Sequence, residues 1–171
     1  MLKTRVVLNW KMYPDTLAEA RKLASATRRI ASGMRKMEVV VCPPAIYLAS
    51  LAKPGVMLGA QDVSGAIGET AHTGEISVQM LKELGTTHVI IGHSERRARG
   101  ETEEMINQKV QAVLRGGLTA ILCVGEGARD EEGKYLAVVE SQLERALSGV
   151  TPRLAQELVV RFPSKFSNDF S

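Results

Sequence analysis

Two side chains of this 171-residue chain are best placed to do chemistry, Lys11 and His93. Lys11 follows the apolar run over residues 5–10, and His93 follows Val89-Ile90-Ile91-Gly92. A titratable group just past a buried strand sits where parallel α/β proteins carry out reactions. Lys11 would supply a fixed ammonium that attracts an anionic substrate and steadies developing negative charge. Asn9, two residues back on an extended chain, shares its face. His93 precedes Ser94-Glu95, which reads as the opening of a helical turn. The positive end of a helix dipole disfavours a protonated imidazole. A neutral imidazole donates one hydrogen bond to a carbonyl oxygen and shuttles a proton. Glu95 is expected to pair with Lys11 across the strand ends. Each residue also has an ordinary structural reading: a solvated loop lysine, a structural or surface histidine, a first-turn acid favoured by the dipole.

The elements that must position these groups alternate strand and helix. Strands are predicted at 5–10, 37–42, 56–61, 88–92 and 119–124, and a sixth begins at 158–160. Helices are predicted at 16–31 with Asp15 as N-cap, 45–52, 76–84, 103–115 and 131–147. Val39-Val40-Val41, Val89-Ile90-Ile91 and Ala120-Ile121-Leu122 are apolar without alternation, the mark of parallel strands covered on both faces. Repeated βα units give an open doubly wound sheet or a closed barrel, and spacing alone does not choose.

Composition narrows the function classes. The net charge of +3 is small and scattered, which argues against nucleic acid. Arg96, Arg97 and Arg99 form the densest basic cluster and read as a solvated or salt-bridged turn. No apolar run is long enough to span a membrane, and the first strand starts too early for a signal peptide. Cys42 and Cys123 lie in apolar runs and read as reduced and buried, which implies a cytoplasmic location. The stretch from Gly65 to Gly74 fits no phosphate-loop spacing, Gly125-Glu126-Gly127 reads as a tight turn, and His72 and Thr73 read as surface.

The last eleven residues, 161–171, hold all three phenylalanines of the chain. The expected organisation is therefore a barrel-forming part at 1–160 and an aberrant or unstructured tail at 161–171, from a frameshift or truncated reading frame after Val160. The alternative is a genuine tail with Phe162, Phe166 and Phe170 on one helical stripe, which Pro163 weakens.

Seven segments in order resemble the triosephosphate isomerase family. They are Asn9-Trp10-Lys11-Met12, Cys42-Pro43-Pro44, Gly59-Ala60-Gln61-Asp62-Val63-Ser64, His72-Thr73-Gly74-Glu75-Ile76-Ser77, Gly92-His93-Ser94-Glu95-Arg96-Arg97, Gly100-Glu101-Thr102 and Ile121-Leu122-Cys123-Val124-Gly125-Glu126. The resemblance implies a (β/α)8 TIM barrel, here incomplete, with about five βα units and the start of a sixth strand. It implies interconversion of dihydroxyacetone phosphate and glyceraldehyde 3-phosphate in glycolysis and gluconeogenesis, with no cofactor and no metal.

By the same resemblance Asn9 and Lys11 bind substrate, His93 polarises the carbonyl and moves protons on the enediolate, and Glu95 supports Lys11. Thr73 tips a loop that enters a neighbouring subunit, so a homodimer is implied. The family's catalytic glutamate would fall at position 163, which is Pro163. The lid, the last two strands and their phosphate loops have no counterpart either, and Tyr13 stands where Asn is common. The chain alone is therefore expected to be inactive. The competing expectations are a non-catalytic partial-barrel module that binds through Lys11 and the Gly65 to Gly74 loop, and another sugar-phosphate enzyme on a βα barrel.

Overall fold

Six short runs, five of them carrying valine or isoleucine, pair as parallel strands in chain order: β1 Thr4–Asn9, β2 Met37–Cys42, β3 Met57–Ala60, β4 Thr86–Ile91, β5 Thr119–Cys123 and β6 Leu158–Arg161. The computed structural model describes residues 4–34, 36–52, 55–68, 70–125 and 134–162. Between the strands lie α1 Leu17–Ala31, α2 Leu48–Leu51, α3 Val78–Glu83, α4 Ser94–Arg97, α5 Glu103–Arg115 and α6 Lys134–Ala146. Two 3-10 turns, Ala45–Tyr47 and Leu154–Glu157, precede α2 and β6. Each strand lies beside its predecessor, so the sheet curls into an incomplete TIM barrel.

The two faces of the sheet explain the unbroken apolar runs. Val89, Ile91, Ala120 and Leu122 pack outward against Ile106, Val110 and Val113 of α5. Val40, Cys42, Ile90, Ile121 and Cys123 form a second cluster on the concave face. Alternate residues of one strand are thus buried in different cores. Gly59 belongs to the concave face. A Cβ there would collide with Sγ of Cys42 and lie 3.0 Å from Cγ1 of Val40. Among the described residues, β1 pairs only with β2 and β6 only with β5.

The boundaries differ from expectation where side chains redirect the backbone. Thr16, not Asp15, caps α1: its hydroxyl accepts from the Glu19 N–H at 3.2 Å and donates to the Glu19 carboxylate at 2.9 Å. The hydroxyl thus satisfies one free amide of the helix start, and the carboxylate holds the hydroxyl in place. The third helix starts at Val78 with Ser77 as its cap, because the carbonyl of Ile76 accepts from Ser64 N–H at 2.8 Å and holds Ile76 in the loop. β4 begins at Thr86, and the Thr87 hydroxyl donates to the Leu58 carbonyl at 3.1 Å. β6 ends on Arg161, whose carbonyl accepts from Val124 N–H at 3.1 Å. Residues 163–171 of the expected tail, and Glu126 and Gly127 of the expected turn, lie outside the described residues.

Candidate active site

Lys11 leaves β1 with φ of 53°, the left-handed region that a side chain other than glycine rarely adopts. The surroundings hold it there. Its N–H donates to Oδ1 of Asn9 at 2.9 Å. Its carbonyl accepts from Nε2 of Gln61 at 2.7 Å, and the same nitrogen donates to the Cys42 carbonyl at 2.8 Å. Its ammonium pairs with Oε1 of Glu95 at 2.8 Å. A strained backbone fixed from several sides marks a residue whose position is specified.

His93 is the N-cap of α4: Nδ1 accepts from Glu95 N–H at 3.3 Å. A nitrogen that accepts carries no proton, so the neutral ring bears its proton on Nε2. Burial lowers the His93 pKa; Glu95 opposes this, and Arg161 and Lys11 reinforce it. Glu95 is held below the usual carboxylate range, chiefly by its hydrogen bond from Lys11. At neutral pH the site therefore holds a charged lysine–glutamate pair beside an uncharged imidazole.

Gly92 and Arg97 set the angle at which the chain leaves β4. Gly92 turns with φ of 69°, and a Cβ would sit 3.2 Å from the Cys123 carbonyl oxygen. Nε of Arg97 donates to the Gly92 carbonyl at 2.7 Å and Nη2 to the Cys123 carbonyl at 3.2 Å, while Nη1 pairs with Glu103. Arg97 thus ties the ends of β4 and β5 to α5. Arg96 pairs with Asp62 at 2.7 Å and Glu101 at 3.2 Å. Buried Lys109 joins the same carboxylates, with 2.7 Å to Asp62. The basic cluster is therefore a salt-bridged turn that anchors α4.

The concave face of the sheet holds a cleft of about 590 Å³, lined from Arg5 near the start of β1 up to Lys11, His93 and Arg161 at the carboxyl ends of the strands. Asn9, Lys11 and His93 line it together with Arg5, Cys123, Arg161 and Phe162. No aspartate or glutamate is among its described lining residues. Cys42 and Cys123 are free thiols and buried. Burial first, and then the nearby Cys123, push the Cys42 thiol up to about 12. Burial likewise raises Cys123. Neither is a ready nucleophile. Thr73 is exposed in the loop after β3 and lies outside this cleft. His72 stands 4.0 Å from Glu75. Among the described residues no cluster of three or more His, Cys, Asp or Glu side chains suits a metal ion, and no helix is long and apolar enough to cross a membrane.

The structure brings Asn9, Lys11, His93 and Glu95 together and leaves Thr73 apart. Sequence reasoning gave Gln61 and Arg161 no role in the site and read Arg97 only as part of a solvated or salt-bridged turn. The only available signals were the Gln61-Asp62 pair after an apolar run and the arginines beside His93.

Comparison with known proteins shows the family. The family model described as triosephosphate isomerase matches residues 4–162. A curated triosephosphate isomerase of Citrifermentans bemidjiense is 42% identical over 168 residues, covering 95% of this chain and 66% of its own length. That of Dictyoglomus thermophilum is 39% identical over 168 residues, with 95% and 67% covered. That of Thermoanaerobacter sp. is 48% identical over 149 residues, with 84% and 59% covered. The chain thus spans between 59% and 67% of the length of these relatives.

Proposed function

Because this chain belongs to the triosephosphate isomerase family, we propose that its cleft is the carbonyl-polarising and anion-binding half of a triose-phosphate isomerase site. The observation that carries the reading is the joint placement of Lys11 and His93: one Glu95 pairs with the lysine through its side chain and caps the imidazole through its N–H. Dihydroxyacetone phosphate would direct its carbonyl oxygen to the protonated Nε2 of His93. Lys11 and Asn9 would hold the substrate's negative charge. As the enediolate forms, charge grows on oxygen, where a preorganised donor and cation stabilise it most.

Removal of the carbon-bound proton needs a base within hydrogen-bond reach. Family resemblance puts that base just after β6, where this sequence has Pro163. The polypeptide of 171 residues is accordingly a poor isomerase by itself. The base alone is worth roughly 10²–10⁴-fold in rate. The loop bearing Thr73 would buttress a second copy in a homodimer, and the protein would act in the cytoplasm in glycolysis and gluconeogenesis.

The test is complementation. The chain is mixed with a polypeptide that carries the remaining third of a family member, and isomerisation of glyceraldehyde 3-phosphate is followed. Turnover that appears on mixing and vanishes with His93→Gln supports the reading. Turnover that His93→Gln leaves unchanged removes His93 from the mechanism.

A further inference from the structure

We propose that Arg161 is an anion-anchoring residue of the cleft, a guanidinium that grips the phosphate of a small phosphorylated ligand together with Lys11. The inference rests on the reading of the cleft given above and adds a residue that the sequence motifs do not contain.

Arg161 is the last residue of β6 and stands opposite Cys123 of β5. That register places it on the concave face, in the lining shared by Asn9, Lys11 and His93. Its backbone is fixed there, since its carbonyl accepts from Val124 N–H at 3.1 Å. Its guanidinium acts electrostatically on both Cys123 and His93.

Three cations line the cleft, and they differ in what they already hold. Arg5 is spent on Glu38, with 2.9 and 3.2 Å from its nitrogens to one carboxylate oxygen. Lys11 shares its charge with Glu95 at 2.8 Å. Arg161 pairs with no carboxylate among the described residues, and its side chain is exposed. A cleft with cationic lining and no acidic one selects anions, and the surplus resides on Arg161. The guanidinium fork fits two oxygens of a phosphate in parallel, a geometry lysine does not offer. A bulky cation at this strand end favours a held anion over proton abstraction, so binding is separable from turnover in this chain.

The experiment is a calorimetric titration of the whole chain with inorganic phosphate and then with dihydroxyacetone phosphate, for wild type, Arg161→Gln, Arg161→Lys and Lys11→Met. The His93 pKa is read by NMR in the same samples. Arg161→Gln should weaken both ligands by about tenfold, as expected for one lost charge-assisted contact. Arg161→Lys should recover part of that loss. The His93 pKa should rise in Arg161→Gln and hold near its wild-type value in Arg161→Lys, which keeps the charge; a rise in both variants would point to lost burial instead. Should Arg161→Gln fail to fold, the comparison of Arg161→Lys with wild type decides: equal phosphate affinity overturns the proposal, because lysine keeps the charge and lacks the fork. If Lys11→Met weakens binding while Arg161→Gln does not, the anchor is wrong and the reading of the cleft stands. If wild type binds neither ligand, or no variant matters, both fall.

Discussion

Lys11 at the end of β1 and Glu95 in the first turn of α4 meet at 2.8 Å, and this ion pair joins the two halves of the candidate site. More than half of each side chain is exposed, with 59% and 53% of their surfaces in solvent. An exposed pair contributes at most about 1 kcal/mol to stability. Its consequence is electrostatic. Glu95 raises the His93 pKa against the stronger effect of burial. Glu95→Gln should therefore lower the His93 pKa further and change unfolding free energy by less than about 1 kcal/mol. NMR titration of the ring and urea unfolding check the two halves. A higher His93 pKa in the variant would contradict the assignment.

Buried charge gives the opposite expectation. Lys109 is 5% exposed and Glu101 is 8% exposed, and they share their network with Asp62 and Arg96. Lys109→Met leaves Glu101 without its buried partner. Breaking such a pair from one side costs about 3–5 kcal/mol. Urea denaturation should show a loss of that order. A cost under about 1 kcal/mol would mean that the carboxylates are solvated, as in an exposed pair.

Acid should destabilise the fold through His88. This residue is 3% exposed on β4, with Nδ1 2.7 Å from the Thr87 hydroxyl. The Thr87 proton goes to the Leu58 carbonyl, so Nδ1 is the donor. Burial, then Arg5, lower its pKa from 6.5 to about 4, while Glu38 and Glu157 oppose. The unfolded chain takes up this proton below 6.5, whereas the folded chain resists until about 4. Stability from His88 is therefore full above 6.5 and falls as pH drops toward 4. Urea midpoints across that window should fall more steeply for wild type than for His88→Gln. Parallel curves would exclude His88 as the source.

Gly59 tests the concave face. Gly59→Ala drives a methyl group into Sγ of Cys42 and against Val40. Overpacking of this kind costs about 1–3 kcal/mol. Adding Cys42→Ala to Gly59→Ala should return part of the loss, because the thiol is the closest obstacle. If the double variant is no more stable than the sum of the two single changes, the two groups do not meet.

What the sequence made legible was local. Val39-Val40-Val41, stopped by Pro43-Pro44, announced β2, which runs Met37–Cys42 as expected. The helix 103–115 was equally plain, since Thr102 caps it by accepting from Met105 N–H at 3.3 Å and Gly116 ends it. The Lys11–Glu95 pair was legible because both residues follow strands. Gln61 was not, because its contacts exist only once β3 brings it beside the ends of β1 and β2. Lys109 was hidden for a similar reason: a lysine within an amphipathic helix reads as solvent-facing until two carboxylates from other segments enclose it. Thr16 displaced Asp15 as a cap through a contact three residues ahead, which either residue type permits.

The most direct measurement is the turnover of glyceraldehyde 3-phosphate by the purified 171-residue chain alone, in a coupled assay at neutral pH. With Lys11 and His93 in place but no carboxylate among the described residues that line their cleft, the chain should give no isomerisation above background. Turnover at the rate of a full-length family member, without any added polypeptide, would contradict the account.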